Sequence, residues 1–373
     1  MFEYLSFFWS LILIVFLSIL LIKDFSNYSK RKGFIISGVL IIHLISTYYF
    51  YFTALEVNKD SLRFFSNPDN LTFIDLLENF NLMKLAKSTM TFLAIILKKI
   101  GFNFLSITLL SSIVGFLGFR KFILETDFQK IDTILKKSIF YFLMFCPSFH
   151  YWTSGFSKEA FVFFLLSHLF FLKIKFAKHY IQLIFLILLI GLFRFYIALF
   201  IIIAMIIYIK QKHFSKKPIY DLIILMGVIF FSILSFEMFN LEEIIINFQN
   251  LKNKSDWNGT TTYPINQTNI IQRGIIVLFR PIFFDANNLK SLILSFENIF
   301  MLTIFCYICY LFIFSKIYFK KTYQLTVALV LFVFSFLFHS TYMYNLGLAS
   351  RMKIHFLPFI LYVLSIGYET KTD

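Results

Sequence analysis

The sequence predicts an all-α, polytopic integral membrane protein with about 11 transmembrane helices and two large outward-facing loops carrying amphipathic helices. Three observations predict it. Hydrophobic residues make up 59% of the 373 positions and charged residues only 15%, more apolar surface than a water-soluble domain can hide. The apolar residues recur in long runs, and roughly 20 such residues in helical form cross a hydrocarbon core of about 30 Å. Lysines cluster between runs, as the positive-inside rule asks of cytoplasmic loops. Six prolines and twelve glycines leave little for a flexible linker, so residues 1–373 read as a single transmembrane domain.

The expected spans are 4–22, 34–54, 103–119, 138–151, 159–172, 219–238, 291–314, 323–339 and 353–367. The first run, MFEYLSFFWSLILIVFLSILLIKD, has neither a basic n-region nor a small-residue cleavage site, so it reads as a spanning helix. The stretch 181–209 is too long for one span. Lysines 173, 175 and 178 precede it and lysines 210, 212, 216 and 217 follow it. Keeping both groups on one side makes the stretch a hairpin of two short helices, its tip near Gly191–Tyr196 and carrying Arg194. The N-terminus then lies outside and the C-terminus inside. The net charge of +15 is accounted for by this topology, and no nucleic-acid partner is expected.

Lysine follows the topology and arginine opposes it. Of the seven arginines, Arg31 and Arg120 fall on the cytoplasmic side, whereas Arg63, Arg194, Arg273, Arg280 and Arg351 fall on the outer side. Guanidinium binds phosphate bidentately and keeps its charge when half buried. An outward anion site therefore competes with the plainer reading, contacts to lipid phosphate in the outer leaflet. Arg194 stands inside LILLIGLFRFYIALF, where a charge is costly and so points to function. Arg280 and Pro281 interrupt GIIVLFRPIFFDANN; the proline ends a helix and frees backbone, a break tolerated in membranes where it lines a cavity.

The two large loops are about 55–102 and 239–290. The first opens on LEVNKDSLRFFSNPDN and continues through two amphipathic stretches suited to the interface. A shorter outer segment, CPSFHYWTSGFSKEAF, ends one span at Pro147 and begins the next at Ser157. Ser157 is the expected N-cap, with Lys158 and Glu159 in the first turn, and such a helix start with Lys158 beside it attracts anions. An ordinary capped helix with an exposed Lys–Glu pair is the competing reading. The candidate general bases are Asp60, His150 and Glu159, unranked. Asp285 and Glu297 are carboxylates expected to pair with Arg280 or Arg273 and hold the second loop in shape. Phosphate-binding glycine loops, zinc-binding HExxH and nucleophile elbows are missing from the sequence, so no cofactor and no metal are expected. Cys306 and Cys309 form a CxxC inside an apolar run, where small packing residues suffice as an explanation.

The order and spacing of these segments resemble the multi-spanning polysaccharide polymerases of bacterial envelopes, the Wzy-type and EpsG-like proteins. The similarity rests on NKDSLRFF in the first outer loop, STMTFLAIILKKIGFNFLSITLLSSIVGFLG after it, and PSFHYWTSGFSKEAFVFFLL, where a basic residue, an acid and Ala open a span. Phe64 or Phe65 stands where the family often has Tyr. The resemblance implies transfer of a growing glycan from undecaprenyl diphosphate to a sugar hydroxyl of an incoming lipid-linked repeat unit, at the outer face of the inner membrane. Its implied partners are the undecaprenyl-diphosphate-linked oligosaccharide, membrane lipids and a chain-length regulator. Arg194, Arg280 and Arg351 would hold the diphosphate, helped by Arg273 and Lys158. Two other readings compete: a glycosyltransferase using polyprenyl-monophosphate sugars, and a flippase of lipid-linked oligosaccharide.

Overall fold

Helix after helix follows the apolar runs, and the ends are written in the sequence. The computed structural model describes residues 2–57, 60–66, 82–173, 177–213, 269–286, 288–314, 317–319, 322–342, 346–366 and 368–370. The helices are α1 (Phe2–Asn27), α2 (Lys30–Val57), α3 (Asp60–Ser66), α4 (Leu82–Lys99), α5 (Phe104–Glu125), α6 (Ile134–Phe145), α7 (Pro147–Thr153) and α8 (Lys158–Phe170). They continue as α9 (Ala177–Phe193), α10 (Phe195–His213), α11 (Ile270–Phe279), α12 (Leu289–Phe314), α13 (Tyr323–Tyr342), α14 (Leu346–Met352) and α15 (Leu357–Ile366). A two-stranded antiparallel ribbon, β1 (Ile317–Phe319) with β2 (Tyr368–Thr370), is a minor addition to a helical chain.

Among the described residues five helices are long and apolar enough to cross a membrane: Tyr4–Asn27, Lys30–Val57, Phe104–Glu125, Leu289–Leu311 and Tyr323–Thr341. Leu346–His355 and Leu357–Ile366, bent by 51°, form a sixth if they are one span. The expected span 219–238 and the polar tip of the second loop lie outside the described residues. Two other expected spans are shorter than a bilayer. The run 138–151 breaks at Cys146, because Pro147 cannot continue a helix from α6 and instead starts α7 at its first position. The run 159–172 is a helix of 13 residues, about 20 Å long at 1.5 Å per residue. The stretch 181–209 divides as expected at its charged residue: α9 ends at Phe193, Arg194 is non-helical, and α10 begins at Phe195.

The chain clusters into two compact units, Met1–Phe128 with Met144–Ala198, and Gln129–Leu143 with Leu199–Asp373. In the first, α5 is the central helix, packed on α8, α2, α1 and α7. Asn103 caps it: its side chain accepts from the Ser106 N–H at 2.8 Å while the Ser106 hydroxyl accepts from the Asn103 N–H at 2.9 Å. Small residues along α5 allow neighbours to approach closely. A Cβ on Gly115 would stand 2.1 Å from the Thr153 carbonyl oxygen, and one on Gly118 would stand 2.8 Å from the Phe163 ring.

Contacts fix both ends of α1. Near its start the Trp9 indole N–H donates to the Ile100 carbonyl at 2.9 Å, joining it to the residues just after α4. Near its end the buried Asp24 carboxylate is gripped by Arg120 through Nε at 2.7 Å and a second guanidinium nitrogen. Lys32 Nζ donates to the Leu124 carbonyl and Arg31 lies 4.5 Å from the Phe128 ring centre. The basic segments 23–32 and 120–128 thus meet at one end of the unit.

In the second unit α11 packs on α13, α12 and α14. Gly274 makes the first contact possible, since a Cβ there would fall 2.1 Å from the Phe336 ring. Val277 of α11 and Ala349 and Met352 of α14 form a buried apolar cluster with Leu348 against it.

Candidate functional site

The residues expected at an outward site fall into both units, and each group is described within its own. In the first unit Glu159, in the opening turn of α8, is fully buried, and a terminal guanidinium nitrogen of Arg194 donates to its Oε1. Arg194 is itself only 14% exposed. A base candidate and a phosphate-ligand candidate 35 residues apart are therefore partners. Burying one such charge alone is prohibitive, and a partner with hydrogen-bond geometry is what makes burial tolerable. Ser157 does occupy the N-cap position of α8, with extended backbone, but its hydroxyl donates to the Trp152 carbonyl at 3.1 Å instead of capping.

Lys158 points back to α3: its Nζ lies 5.7 Å from the centre of the Phe64 ring. Lys98, at the end of α4, stands likewise 5.0 Å from the Phe65 ring. Both phenylalanines thus meet cations through their faces. Asp60 is the exposed first residue of α3, the same short helix. The structure brings Asp60's helix and Lys158 into one neighbourhood.

His150 is placed differently. It is fully buried in α7, with Nε2 2.7 Å from the Met144 carbonyl and Nδ1 3.0 Å from Nδ1 of His43. His43 lies near the middle of α2, so His150 sits at mid-height of that helix and not at its outer end. Both of its ring nitrogens are engaged.

In the second unit α11 begins with a capping box between Asn269 and Gln272 and ends where Pro281 forces the preceding residue out of helical geometry: Arg280 has φ −100° and ψ 153°. That extended backbone turns the guanidinium onto Asp285. Arg280 Nε donates to Oδ2 at 2.8 Å and a terminal nitrogen donates to Oδ1, while the Ile282 N–H also donates to Oδ2 at 2.8 Å. The hydrogen bond from Arg280 holds the Asp285 carboxyl below the usual carboxylate range; burial opposes this and the Ile282 N–H adds to it. A depressed carboxylate stabilises the fold above its ordinary titration range and loses that contribution as pH falls through the lowered value. Arg280 is 38% exposed, so solvent screens the pair. Asp285→Asn is expected to cost about 1 kcal/mol at neutral pH and to remove an acid-side loss of thermal stability, read by unfolding scans between pH 7 and pH 3.

Arg273, in the first turns of α11, donates from Nη1 to the Thr341 carbonyl at 3.1 Å, and its buried Nε has no hydrogen-bond acceptor among the described residues. Arg351 lies in the last turn of α14, which packs on α11. Glu297 is buried on α12 at 7% exposure. Its neighbour carries a network that sequence reasoning missed. Asn298 donates to the Pro281 carbonyl at 2.9 Å and accepts from the buried Lys353 Nζ at 2.7 Å, so α12 holds the backbone beside Arg280 and a lysine on the other side. A polar Asn within an apolar helix was the available signal.

At the end of α11 lies an open apolar groove of about 620 Å³, lined by Leu278 and Phe279 of α11, residues of α12 including Phe305 and Cys309, and Phe332 and Phe336 of α13. No group of three or more metal-ligating side chains occurs among the described residues.

No protein-family model, curated protein or solved structure matches the chain.

Proposed function

We propose that this protein polymerises undecaprenyl-diphosphate-linked oligosaccharide repeat units into a surface polysaccharide at the outer face of a bacterial inner membrane, crossing that membrane eleven times. One observation supports this above the others: Arg280 directly follows Phe279, whose ring lines an apolar groove at the end of α11. From Asn269 to Ile366 the sequence holds two carboxylates, Asp285 and Glu297. Arg273 and Arg280 stand on α11, whose last residues Leu278 and Phe279 line the groove; Arg351 lies on α14, packed against α11, and Lys353 is bonded to Asn298 of α12. A polyprenyl chain suits the groove, and a diphosphate suits the guanidinium groups at its end.

In the reaction the acceptor sugar hydroxyl forms a bond to the anomeric carbon of the growing chain, and the bond from that carbon to the diphosphate oxygen breaks. The leaving diphosphate gains charge as the bond breaks, and fixed guanidinium groups lower that cost without a metal. A carboxylate takes the hydroxyl proton. Within the first unit Glu159 is bound by Arg194, which makes the two a positioning pair beside Lys158.

The test compares lipid-linked and surface glycans in a strain lacking the gene and in strains complemented with the native chain or with Arg280→Ala or Arg351→Ala. The deletion is expected to collapse a ladder of chain lengths to one repeat unit. Each arginine variant should lower polymer yield at least about 100-fold, the loss typical of one transition-state charge donor, at unchanged protein level. Single repeats stranded on the cytoplasmic side would instead make the protein a flippase. An intact ladder lacking one sugar would make it a monophosphate-sugar transferase.

A further inference from the structure

The contact between His43 and His150 has a proton count that two neutral rings cannot meet. His43 Nε2 lies 2.9 Å from the Ser112 carbonyl oxygen, and His150 Nε2 lies 2.7 Å from the Met144 carbonyl oxygen. A backbone carbonyl only accepts, so each Nε2 must carry a hydrogen. The two Nδ1 atoms then face each other at 3.0 Å, within hydrogen-bond range for nitrogen donors. If both rings were neutral, each Nδ1 would present a lone pair, and the contact would be repulsive. One additional hydrogen resolves it: three ring protons on two imidazoles, one of them shared along the Nδ1···Nδ1 line, and a charge of +1 on the pair.

From this geometry we infer that His43 and His150 form a binding site for a single proton in the core of the first unit, independent of the glycan chemistry proposed above. The surroundings suit a delocalised cation. The Phe119 ring lies 4.3 Å from the His150 ring and 5.9 Å from the His43 ring, centre to centre, and Phe116 lies 6.3 Å from His43. Aromatic faces stabilise a desolvated imidazolium, and both carbonyl dipoles point their negative ends at Nε2. Thr47 completes the cradle, donating to the His43 carbonyl at 2.7 Å and meeting the Ser112 hydroxyl at 2.6 Å.

The charged side chains on the packed helices sit towards the helix ends. On α1 and α5 they are Asp24 with Arg120, and Lys121 with Glu125. On α8 they are Lys158 and Glu159 with Arg194; His168 adds a ring whose Nδ1 faces the Phe164 carbonyl. On α2 they are Lys30, Arg31, Lys32 and Glu56 at the ends, with Tyr48, Tyr49 and Tyr51 along its outer half; α7 adds Tyr151. None of them forms a hydrogen bond with either imidazole. An ionisable pair at mid-helix inside a membrane protein carries function more often than packing. This one ties α2 to α7, the short helix that leads directly into Lys158 and Glu159. Loss of the shared proton leaves two lone pairs in contact, so one ring must turn or change tautomer, and either way it gives up its carbonyl bond.

The full-length protein, labelled with [15N]histidine and purified in lipid nanodiscs, tests this by imidazole NMR at pH 7. The expected spectrum assigns hydrogens to both Nε2 atoms and shows a through-hydrogen-bond 15N–15N coupling between the two Nδ1 atoms. That coupling should vanish in His43→Asn and in His150→Asn. If neither variant folds, contacts from the Phe119 ring protons assign the native signals among the seven histidines. Two Nδ1 resonances of the unprotonated type, with no coupling between them, would overturn the inference. So would one ring with hydrogen on Nδ1 alone, since that ring would not be donating to its carbonyl.

Discussion

Replacing Arg194 with leucine is expected to destabilise the first unit by about 3–5 kcal/mol, the cost of stranding a buried charge whose partner has been removed. The Glu159 carboxylate it leaves behind is fully buried at the start of α8, while Arg194 is only 14% exposed, so little water can replace the guanidinium. The same change in a surface pair costs less than about 1 kcal/mol, and that difference makes the measurement decisive. Thermal unfolding in detergent should show a large fall for Arg194→Leu and a similar one for Glu159→Leu. The double variant should recover most of the loss, because two apolar side chains can occupy a site that one unpaired charge cannot. A double variant as unstable as either single one would mean that the pair does not act as a unit. Glycan ladders from the same strains separate stability from chemistry. A stable double variant that restores the ladder confines Arg194 to positioning, and one that does not returns it to the phosphate ligands.

Much of the architecture was legible because its signals are local. The membrane class follows from composition, and the break at Arg194 follows from a charge inside an apolar run between two lysine groups. The end of α11 at Phe279 follows from Pro281, and the contact of Arg280 with Asp285 needs only five residues of chain. The lysine pattern also placed 23–32 and 120–137 on one side, and the contacts of Asp24 and Lys32 bring those segments together. What could not be read was local in space but remote in sequence. His43 and His150 are 107 residues apart and Asn298 and Lys353 are 55 apart. A single histidine or asparagine in an apolar helix shows that a polar partner is needed without saying which. The expected span 138–151 failed for a different reason. Hydropathy averages over a window and carries the span past Pro147, the residue that ends it and divides the run into a 12-residue and a 7-residue helix. Glu159 stands among the candidate bases as a first-turn acid beside Lys158, and only the fold shows it buried against Arg194.

The second large effect is expected at Gly115. A Cβ there would lie 2.1 Å from the Thr153 carbonyl oxygen, far inside van der Waals contact. The obstacle is backbone at the end of α7, so no rotamer change can relieve it. Thr153 is further fixed because its own hydroxyl donates to the Phe149 carbonyl at 2.7 Å and its helix is held through His150. Gly115→Ala therefore has to push α7 away from α5, at a cost at or above the roughly 1–3 kcal/mol typical of overpacking, and Gly115→Val should leave little folded protein. Gly191 is the internal control. It lies inside α9, and its nearest Cβ neighbour would be Ala198 at 3.6 Å, an ordinary contact. Gly191→Ala should instead stabilise by up to about 1 kcal/mol, the helix-propensity gain over glycine. Fluorescence-detected size exclusion after heating ranks the three variants against the native chain. Equal losses at Gly115 and Gly191 would mean that the close approach of α7 to α5 is not what glycine serves. A loss confined to Gly115 would tie the stability of the first unit to the same α7 backbone that carries His150 into the helix core.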